Sequence, residues 1–301
     1  MITFKEMKNG FLGQDEGVNF QKPYAQAKTI IVPFGLENTI SYGGGTKKGP
    51  RAIINASHQV ETLDEETLKS PYKCGIATLQ EPVIPKNNKD AVNLLAEIVG
   101  KIIKDNKYPL ILGGEHSLTQ GSIAGLSKKY KNFSVLHFDA HSDTRLEYHG
   151  NEYSHAAIMS QVLKKYPISK LVQVGIRSLS NQNKELNFRK QNKNKIKTFW
   201  GWKNPGPKEV ANAIPTKNVF ISFDVDVFDP SIMPSTGTPE PGGLLWWPIL
   251  KILKQVFQTK NVIGADIIEL APNSRLLHPD FLVAKLVYKM IGYKFDKILK
   301  S

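Results

Sequence analysis

The 301-residue chain has little cysteine and no long hydrophobic run. Its single cysteine, Cys74, excludes an internal disulfide and a zinc site built from cysteines. No apolar stretch approaches the roughly 18 residues of a membrane-spanning helix. The first residues also lack the apolar segment of a secretory signal. We therefore expect a cytoplasmic protein with no membrane partner.

Acidic residues are also scarce relative to basic ones. The 27 aspartates and glutamates are outnumbered by 40 lysines and arginines, which gives a formal net charge of +13. Such a charge suits a polyanionic partner, but the lysines are scattered, and their densest stretch, 184–208, is interleaved with asparagine and glutamine. No arginine-rich stripe stands out. We expect a solvated lysine-rich surface and no nucleic-acid partner.

Short apolar runs alternate along the chain with helical patterns. Near-continuous apolar runs are typical of strands buried on both faces of a parallel sheet. An apolar stripe predicts a helix over 90–105, and Pro248 and Pro279 each stand where a further helix would begin. The alternation predicts an α/β fold, a single three-layer αβα domain over 1–301 with a doubly wound, mostly parallel sheet. The predicted strands are 28–34, 108–112, 133–139, 170–176, 218–224 and 261–268.

Three of the predicted strands end in candidate metal ligands. In open α/β sheets, ligands bind beyond the carboxyl ends of the strands. Asp, His and Asp alternate after the strand at 133–139, and this spacing points all three side chains to one side of an extended chain. Burying so many carboxylates without cations would cost many kcal/mol, so the pattern indicates divalent metal. The candidates are His116, Asp139, His141, Asp143, Asp224 and Asp226.

Four carboxylates and two imidazoles favour manganese over zinc, although nickel and cobalt bind the same ligands. The number of carboxylates exceeds what one ion needs and fits a pair of ions bridged by carboxylates. His137 shares the strand parity of Asp139, but it lies inside the apolar run, and we interpret it as a core or supporting histidine. Glu115 is interpreted as a hydrogen-bonding support.

These motifs resemble those of the ureohydrolase family, which includes arginases and agmatinases. The resemblance rests on GGEHS at 113–117, DAHSD at 139–143, SFDVDVFDP at 222–230 and PSTGTPEPGG at 234–243. It covers nearly the whole chain in the order of the family. It implies an arginase-like αβα fold and a hydrolase with two Mn²⁺ ions, in which hydroxide attacks a guanidinium carbon and releases urea.

The resemblance also implies a role for each site residue. Asp143 would carry a proton to the departing amine, and Glu269 would pair with the substrate guanidinium. The alternative for Glu269 is a strand cap or a surface charge. His155 would shuttle protons at the mouth of the site. A histidine in a first helical turn is the alternative, and His149 is a competing candidate. One ion would be held by His116, Asp139, Asp143 and Asp224, and the other by His141, Asp139, Asp224 and Asp226.

The loop at 144–154 lacks the arginase pattern and resembles that of agmatinases. It implies conversion of agmatine to putrescine and urea, and charge matching makes Glu147 or Glu152 a candidate partner for the distal amine of this small cationic guanidino substrate. Guanidinobutyrate, arginine, formiminoglutamate and guanidine are alternative substrates. A metal-dependent phosphoesterase is the rival enzyme class, and a non-catalytic homologue is the other rival. The resemblance further implies a homotrimer or homohexamer.

Overall fold

The protein is described by a computed structural model over residues 3–15, 18–181 and 184–299, and the remaining residues lie outside the described part. The strands are β1 (Gln14–Asp15), β2 (Val18–Asn19), β3 (Thr29–Phe34), β4 (Ile76–Thr78), β5 (Tyr108–Gly113), β6 (Phe133–Phe138), β7 (Ile168–Ile176), β8 (Ile196–Trp200), β9 (Asn218–Asp224) and β10 (Asn261–Ile268). The α-helices are α1 (Gly49–Ser57), α2 (Asn88–Lys104), α3 (Thr119–Ser127), α4 (Ile158–Lys165), α5 (Glu185–Gln191), α6 (Pro207–Asn212), α7 (Trp246–Thr259) and α8 (His278–Phe295).

Eight of the described strands form one sheet in the order β4-β3-β5-β10-β9-β6-β7-β8, and every neighbouring pair is parallel. Side chains of α1, α6, α7 and α8 form the core on one face, and side chains of α2 to α5 form the core on the other. The predicted three-layer αβα fold with a doubly wound sheet is therefore confirmed. Strands β1 and β2 form a separate antiparallel pair.

All six predicted strands are present, but the sheet has two further strands at its edges. The prediction missed β4 because it is only three residues long. It missed β8 because Lys197 is exposed and most of its neighbours are half-buried, so no continuous apolar run marks the strand. An edge strand has one neighbour and less burial, which weakens the sequence signal.

The three predicted helices have identifiable starts. Asn87 caps α2, where its side-chain oxygen accepts a hydrogen bond from the amide of Asp90. Pro248 and Pro279 lie in the first turns of α7 and α8, where a missing N–H group costs no helical hydrogen bond. Within the described ranges, no helix combines the length and apolarity that crossing a membrane requires.

The strand order places the predicted site residues at one edge of the sheet. The four central strands, β5, β10, β9 and β6, are adjacent, and their carboxyl ends lead to His116, Glu269, Asp224 and Asp139 respectively. Gly114 permits the chain after β5 to pack closely, because a Cβ atom there would collide with the backbone carbonyl of Leu36. Residues far apart in sequence thus meet above the centre of the sheet.

A buried ion pair ties the segment after α1 to the last helix. Lys289 of α8 is fully buried, and its Nζ lies 2.8 Å from Asp64 Oδ2 and 2.8 Å from Glu65 Oε1. Asp64 is also buried, whereas the Glu65 side chain is about half exposed. Removing the lysine would leave the Asp64 carboxylate buried without its cation.

We expect Lys289→Met to lower the free energy of unfolding by about 3–5 kcal/mol, because it leaves the buried Asp64 carboxylate without its cation. The matched control is Lys285→Met. Lys285 pairs with Glu65 at 3.0 Å near the surface, where an ion pair contributes at most about 1 kcal/mol. Urea denaturation of both variants would measure the difference, and equal losses would contradict this account of α8.

Candidate metal centre

A cavity of about 270 Å³ opens at the carboxyl edge of the central strands. Five of the six predicted ligands line it, together with His155 and Glu269. The sixth, Asp139, is fully buried. The structure therefore brings together the eight residues that the sequence analysis placed at the reacting end of the substrate.

The first group of candidate ligands surrounds His116. Its Nδ1 lies 2.9 Å from Asp143 Oδ2, 3.2 Å from Asp139 Oδ2 and 3.5 Å from Asp224 Oδ2. The residues come from the ends of three different strands. His116, Asp139 and Asp143 belong, with His137, to a group whose potential ligand atoms all lie within 4.8 Å of one another and could hold one divalent cation. Asp224 lies beside this group, 3.5 Å from His116 Nδ1.

The second group surrounds His141. Its Nδ1 lies 2.8 Å from Asp226 Oδ2 and 3.5 Å from Asp139 Oδ1. Asp139 thus turns Oδ2 towards His116 and Oδ1 towards His141. This division of its two oxygens is the geometry that a bridging carboxylate needs between two ions.

A buried nitrogen atom without a partner indicates that the donor set suits divalent cations. His116 Nδ1 is completely buried and has no hydrogen-bond partner with suitable geometry, although carboxylate oxygens lie close to it. A buried polar atom without a partner is costly. A cation placed among these atoms would satisfy the imidazole nitrogen and the carboxylates together.

The acid–base properties of the cluster point the same way. Burial raises the pKa of Asp224 well above its usual range, and the charges of Asp226 and Asp139 raise it further. Burial and the charge of Asp139 also raise the pKa of Asp226. For His116, burial opposes protonation, but the adjacent carboxylates of Asp139 and Asp143 raise the pKa well above its usual value. The cluster attracts positive charge.

His137 supports Asp139, as the sequence interpretation holds. Its Nε2 lies 2.7 Å from Asp139 Oδ2, and its Nδ1 lies 3.1 Å from the Gln173 amide nitrogen. Arg189 donates to Gln173 Oε1 at 2.8 Å, which fixes the orientation of that amide. The Gln173 N–H therefore faces His137, so Nε2 carries the proton and donates to Asp139.

Two outer contacts of the candidate ligands were not foreseen from the sequence. Ser222 Oγ lies 3.1 Å from His116 Nε2, the nitrogen that faces away from the carboxylates. Glu240 Oε1 lies 3.6 Å from His141 Nε2. Ser222 shares strand parity with Asp224, and Glu240 stands within the TGTPEPGG motif. The sequence therefore marked both positions, but it did not indicate a role for either residue.

Glu115 is a buried carboxylate that accepts hydrogen bonds from several segments. Its oxygens accept from the amides of Asn38 and Thr39 at 2.6 and 2.5 Å, and from the Thr39 hydroxyl at 2.8 Å. Asn88 and Ser117 donate to it at 3.0 and 2.5 Å. With five donors around it, Glu115 holds the loop after β3, which supports the interpretation of this residue as a hydrogen-bonding support.

That loop in turn holds His155. Thr39 Oγ1 lies 3.2 Å from His155 Nδ1, and Ser41 Oγ lies 2.9 Å from Nε2. Burial lowers the pKa of His155, although the charges of Asp143 and Glu115 act in the other direction. His155 is therefore held in one orientation at the cavity wall, and its neutral form is favoured.

Asp143 and Glu269 occupy unusual backbone conformations. Their φ angles are 50° and 65°, in the left-handed region that non-glycine residues rarely adopt. Glu269 Oε1 accepts a hydrogen bond from the amide of His116 at 2.6 Å. Burial and the charge of Glu115 raise the pKa of Glu269 to about 8. Strained residues of this kind concentrate at functional sites.

Comparisons with known proteins identify the family. The model of the Arginase family matches residues 27–292. The chain is 36% identical to the N(1)-aminopropylagmatine ureohydrolase of Synechocystis sp. over 282 residues, which cover 90% of each protein. It is 30% identical to the agmatinase of Pyrococcus horikoshii, covering 88% of this chain and 92% of the relative. The chain belongs to the arginase family.

Solved structures agree with this assignment. The crystal structure of the agmatine ureohydrolase of Thermoplasma volcanium superimposes with a TM-score of 0.83 at 27% identity, covering 92% of this chain and 93% of that one. The expectation of an arginase-family ureohydrolase is thus confirmed, and with it an arginase-like fold and an enzyme class with a binuclear metal centre. The phosphoesterase and non-catalytic alternatives have no support from these findings.

Glu147 and Glu152 lie apart from the arginase-family cavity. Both side chains are exposed, and among the described residues neither lines the cavity wall. Glu152 pairs with Lys165 at 3.1 Å. Their contact with a substrate amine stays a prediction.

Ser222→Ala tests whether the contact behind His116 orients a metal ligand of this arginase-family site. We expect the variant to bind Mn²⁺ about 10–100-fold more weakly, because the imidazole loses the partner that fixes its orientation. Ser169→Ala, at an exposed position in β7, is the matched control. Equilibrium dialysis would measure both affinities, and an unchanged affinity for Ser222→Ala would refute the role.

Proposed function

We propose that this arginase-family enzyme hydrolyses an agmatine-type guanidino amine to urea and a primary amine. Agmatine is the first candidate substrate, as the loop at 144–154 suggests, and N(1)-aminopropylagmatine is the second, because that name belongs to several relatives. The single observation that carries the proposal is the buried His/Asp cluster facing the same cavity as Glu269.

We further propose that the cluster would hold two Mn²⁺ ions. His116 and Asp143 would bind one ion and His141 and Asp226 the other, and Asp139 and Asp224 would contribute to both, as the family resemblance implies. When bound, the ions would supply the Lewis acidity that makes a water molecule nucleophilic near neutral pH. The oxygen-rich donor set supports manganese, and nickel and cobalt suit the same ligands.

Glu269 binds and orients the guanidinium in this proposal. Its carboxylate can accept parallel N–H bonds from the planar fork, which directs the guanidinium carbon towards the ligands. One of its oxygens already accepts the His116 amide hydrogen bond, which fixes the carboxylate plane. A bound guanidinium also neutralises a carboxylate whose pKa is otherwise raised by burial.

Asp143 transfers the proton that the reaction requires. Water adds its oxygen to the guanidinium carbon, and the bond from that carbon to the alkyl-bearing nitrogen breaks. Asp143 accepts one proton of the water and delivers it to the departing nitrogen. The second water proton is lost as the urea carbonyl forms and is taken up by the released amine, so that urea and an alkylammonium ion result. His155, neutral near pH 7 and held by Thr39 and Ser41, exchanges protons with solvent at the cavity wall.

The outer cavity wall suits the aliphatic part of the substrate. Ile40, Tyr42, Tyr148 and Leu179 provide apolar and aromatic surface that methylene groups can cover. Arg145 also lines the cavity, stacked 4.7 Å from the Tyr148 ring. Arg145 could pair with a substrate carboxylate, so guanidinobutyrate is the alternative substrate that this residue supports.

We also infer a cytoplasmic homotrimer or homohexamer in which 1–301 forms one catalytic domain, with no nucleic-acid partner. The inference rests on the family resemblance and on the scattered distribution of lysines. Light scattering during size-exclusion chromatography would test the assembly. A monomer would contradict it.

The central test of the activity is urea release from Mn²⁺-loaded protein. We expect urea from agmatine or N(1)-aminopropylagmatine in preference to arginine, guanidinobutyrate and guanidine. Glu269→Gln should lower kcat/KM by about 100-fold or more, because the charged fork contact is lost while the metal ligands stay intact. Glu209→Gln, at an exposed position in α6, is the control. If urea were released preferentially from guanidinobutyrate, the proposed substrate would be wrong. Full activity of Glu269→Gln would contradict the role of Glu269 in binding the guanidinium.

The double variant Glu147→Gln, Glu152→Gln tests contact with the substrate tail. We expect KM for N(1)-aminopropylagmatine to rise several-fold with kcat unchanged, because only the remote amine is affected. The shorter agmatine should respond less. Steady-state kinetics with both substrates would decide, and unchanged constants for both would remove these two residues from substrate binding.

A further inference from the structure

A second cleft, of about 310 Å³, lies at the opposite edge of the sheet from the metal centre. It is formed where β3, β5 and β10 begin, so it shares no lining residue with the catalytic cavity. Among the described residues that line it, none is an aspartate or a glutamate. Its basic residues are Lys28, Lys107, Lys129 and Lys294.

The nearest acidic residues along the chain are already paired with other lysines. Asp105 lies 3.0 Å from Lys101 and accepts a hydrogen bond from Tyr24. Asp296, beyond the end of α8, lies 2.9 Å from Lys69. The positive charge of the cleft is therefore not balanced by a direct ion pair.

Neutral oxygens hold three of these ammonium groups in place. Each group donates two hydrogen bonds, at 2.6–3.4 Å, and an ammonium has three N–H donors. Among the described residues, the third N–H of each of these lysines has no acceptor. The acceptors are the carbonyls of Ala25 and Ala27 for Lys107, the Ile103 carbonyl and Asn106 side chain for Lys129, and the Val262 carbonyl and Asn261 side chain for Lys294.

Tyr108 supplies an independent sign that the cleft is made for a ligand. The residue is only 5% exposed, yet its hydroxyl has no hydrogen-bond partner. Its ring lies 5.3 Å from Lys294 Nζ and forms part of the cleft wall. Burial lowers the pKa of Lys294 to about 8, as expected for an ammonium with no anion beside it. A bound anion would supply the acceptor that the buried Tyr108 hydroxyl lacks and the negative charge that the Lys294 ammonium lacks.

We propose that this cleft binds a small phosphate-bearing anion through the spare N–H groups of Lys107, Lys129 and Lys294 and the hydroxyl of Tyr108. Three ammonium groups and one O–H group match the several acceptor oxygens of a phosphate. Lysines act on phosphate as point charges that need no planar alignment. The site is separate from the catalytic cavity and does not depend on the proposed ureohydrolase specificity.

Calorimetric titration with inorganic phosphate tests the proposal on the Mn²⁺-loaded protein. We expect one phosphate per chain at this site, with an affinity that falls as ionic strength rises. Lys294→Met should weaken binding about tenfold or more, and Tyr108→Phe several-fold, because the phenylalanine keeps the packing and removes only the donor. Lys203→Met, an exposed lysine after β8, is the matched control.

Equal affinity for Lys294→Met, Tyr108→Phe and wild type would overturn the proposal, since phosphate would then bind elsewhere, for example at the metal centre. No detectable binding at about 10 mM phosphate would overturn it as well. Urea release should be unchanged in Tyr108→Phe, which confirms that this variant is folded. The two sites are thereby tested separately.

Discussion

Four aspartates and Glu269 lie side by side at the carboxyl ends of three neighbouring strands, β10, β9 and β6, and their mutual repulsion constrains everything around them. Burial and neighbouring negative charge raise the pKa of Asp224, Asp226 and Glu269. Divalent ions and a guanidinium are the cations that fit such a site. The chemistry of the arginase family therefore follows from where the sheet places its acidic residues.

The surroundings of the cluster keep the ligands in place. Glu115 holds the loop that contacts His155, and Gln173 sets the proton position on His137. Arg177 donates to the backbone carbonyls of Asp226 and Glu240 at 2.7 and 2.8 Å, joining the end of β9 to the TGTPEPGG segment. These contacts explain how residues from loops can hold the geometry that catalysis requires.

The central strands and the candidate metal ligands could be predicted from the sequence more completely than the edge strands and the long-range contacts. The central strands are continuous apolar runs, and the alternation of Asp139, His141 and Asp143 is a local pattern, so both could be predicted. The edge strand β8 is half exposed and carries no such run. The contacts of Glu115 with Thr39 and the convergence of lysines at the second cleft join residues far apart in sequence. Only the fold brings these together, so no local spacing reveals them.

The central claim is that this cluster holds two metal ions with Asp139 between them. Anomalous diffraction at the manganese absorption edge, from crystals of Mn²⁺-loaded protein, tests it most directly. The account predicts two peaks, one beside Nδ1 of His116 and one beside Nδ1 of His141, with one Asp139 oxygen facing each. A single peak, or none among these residues, would contradict it.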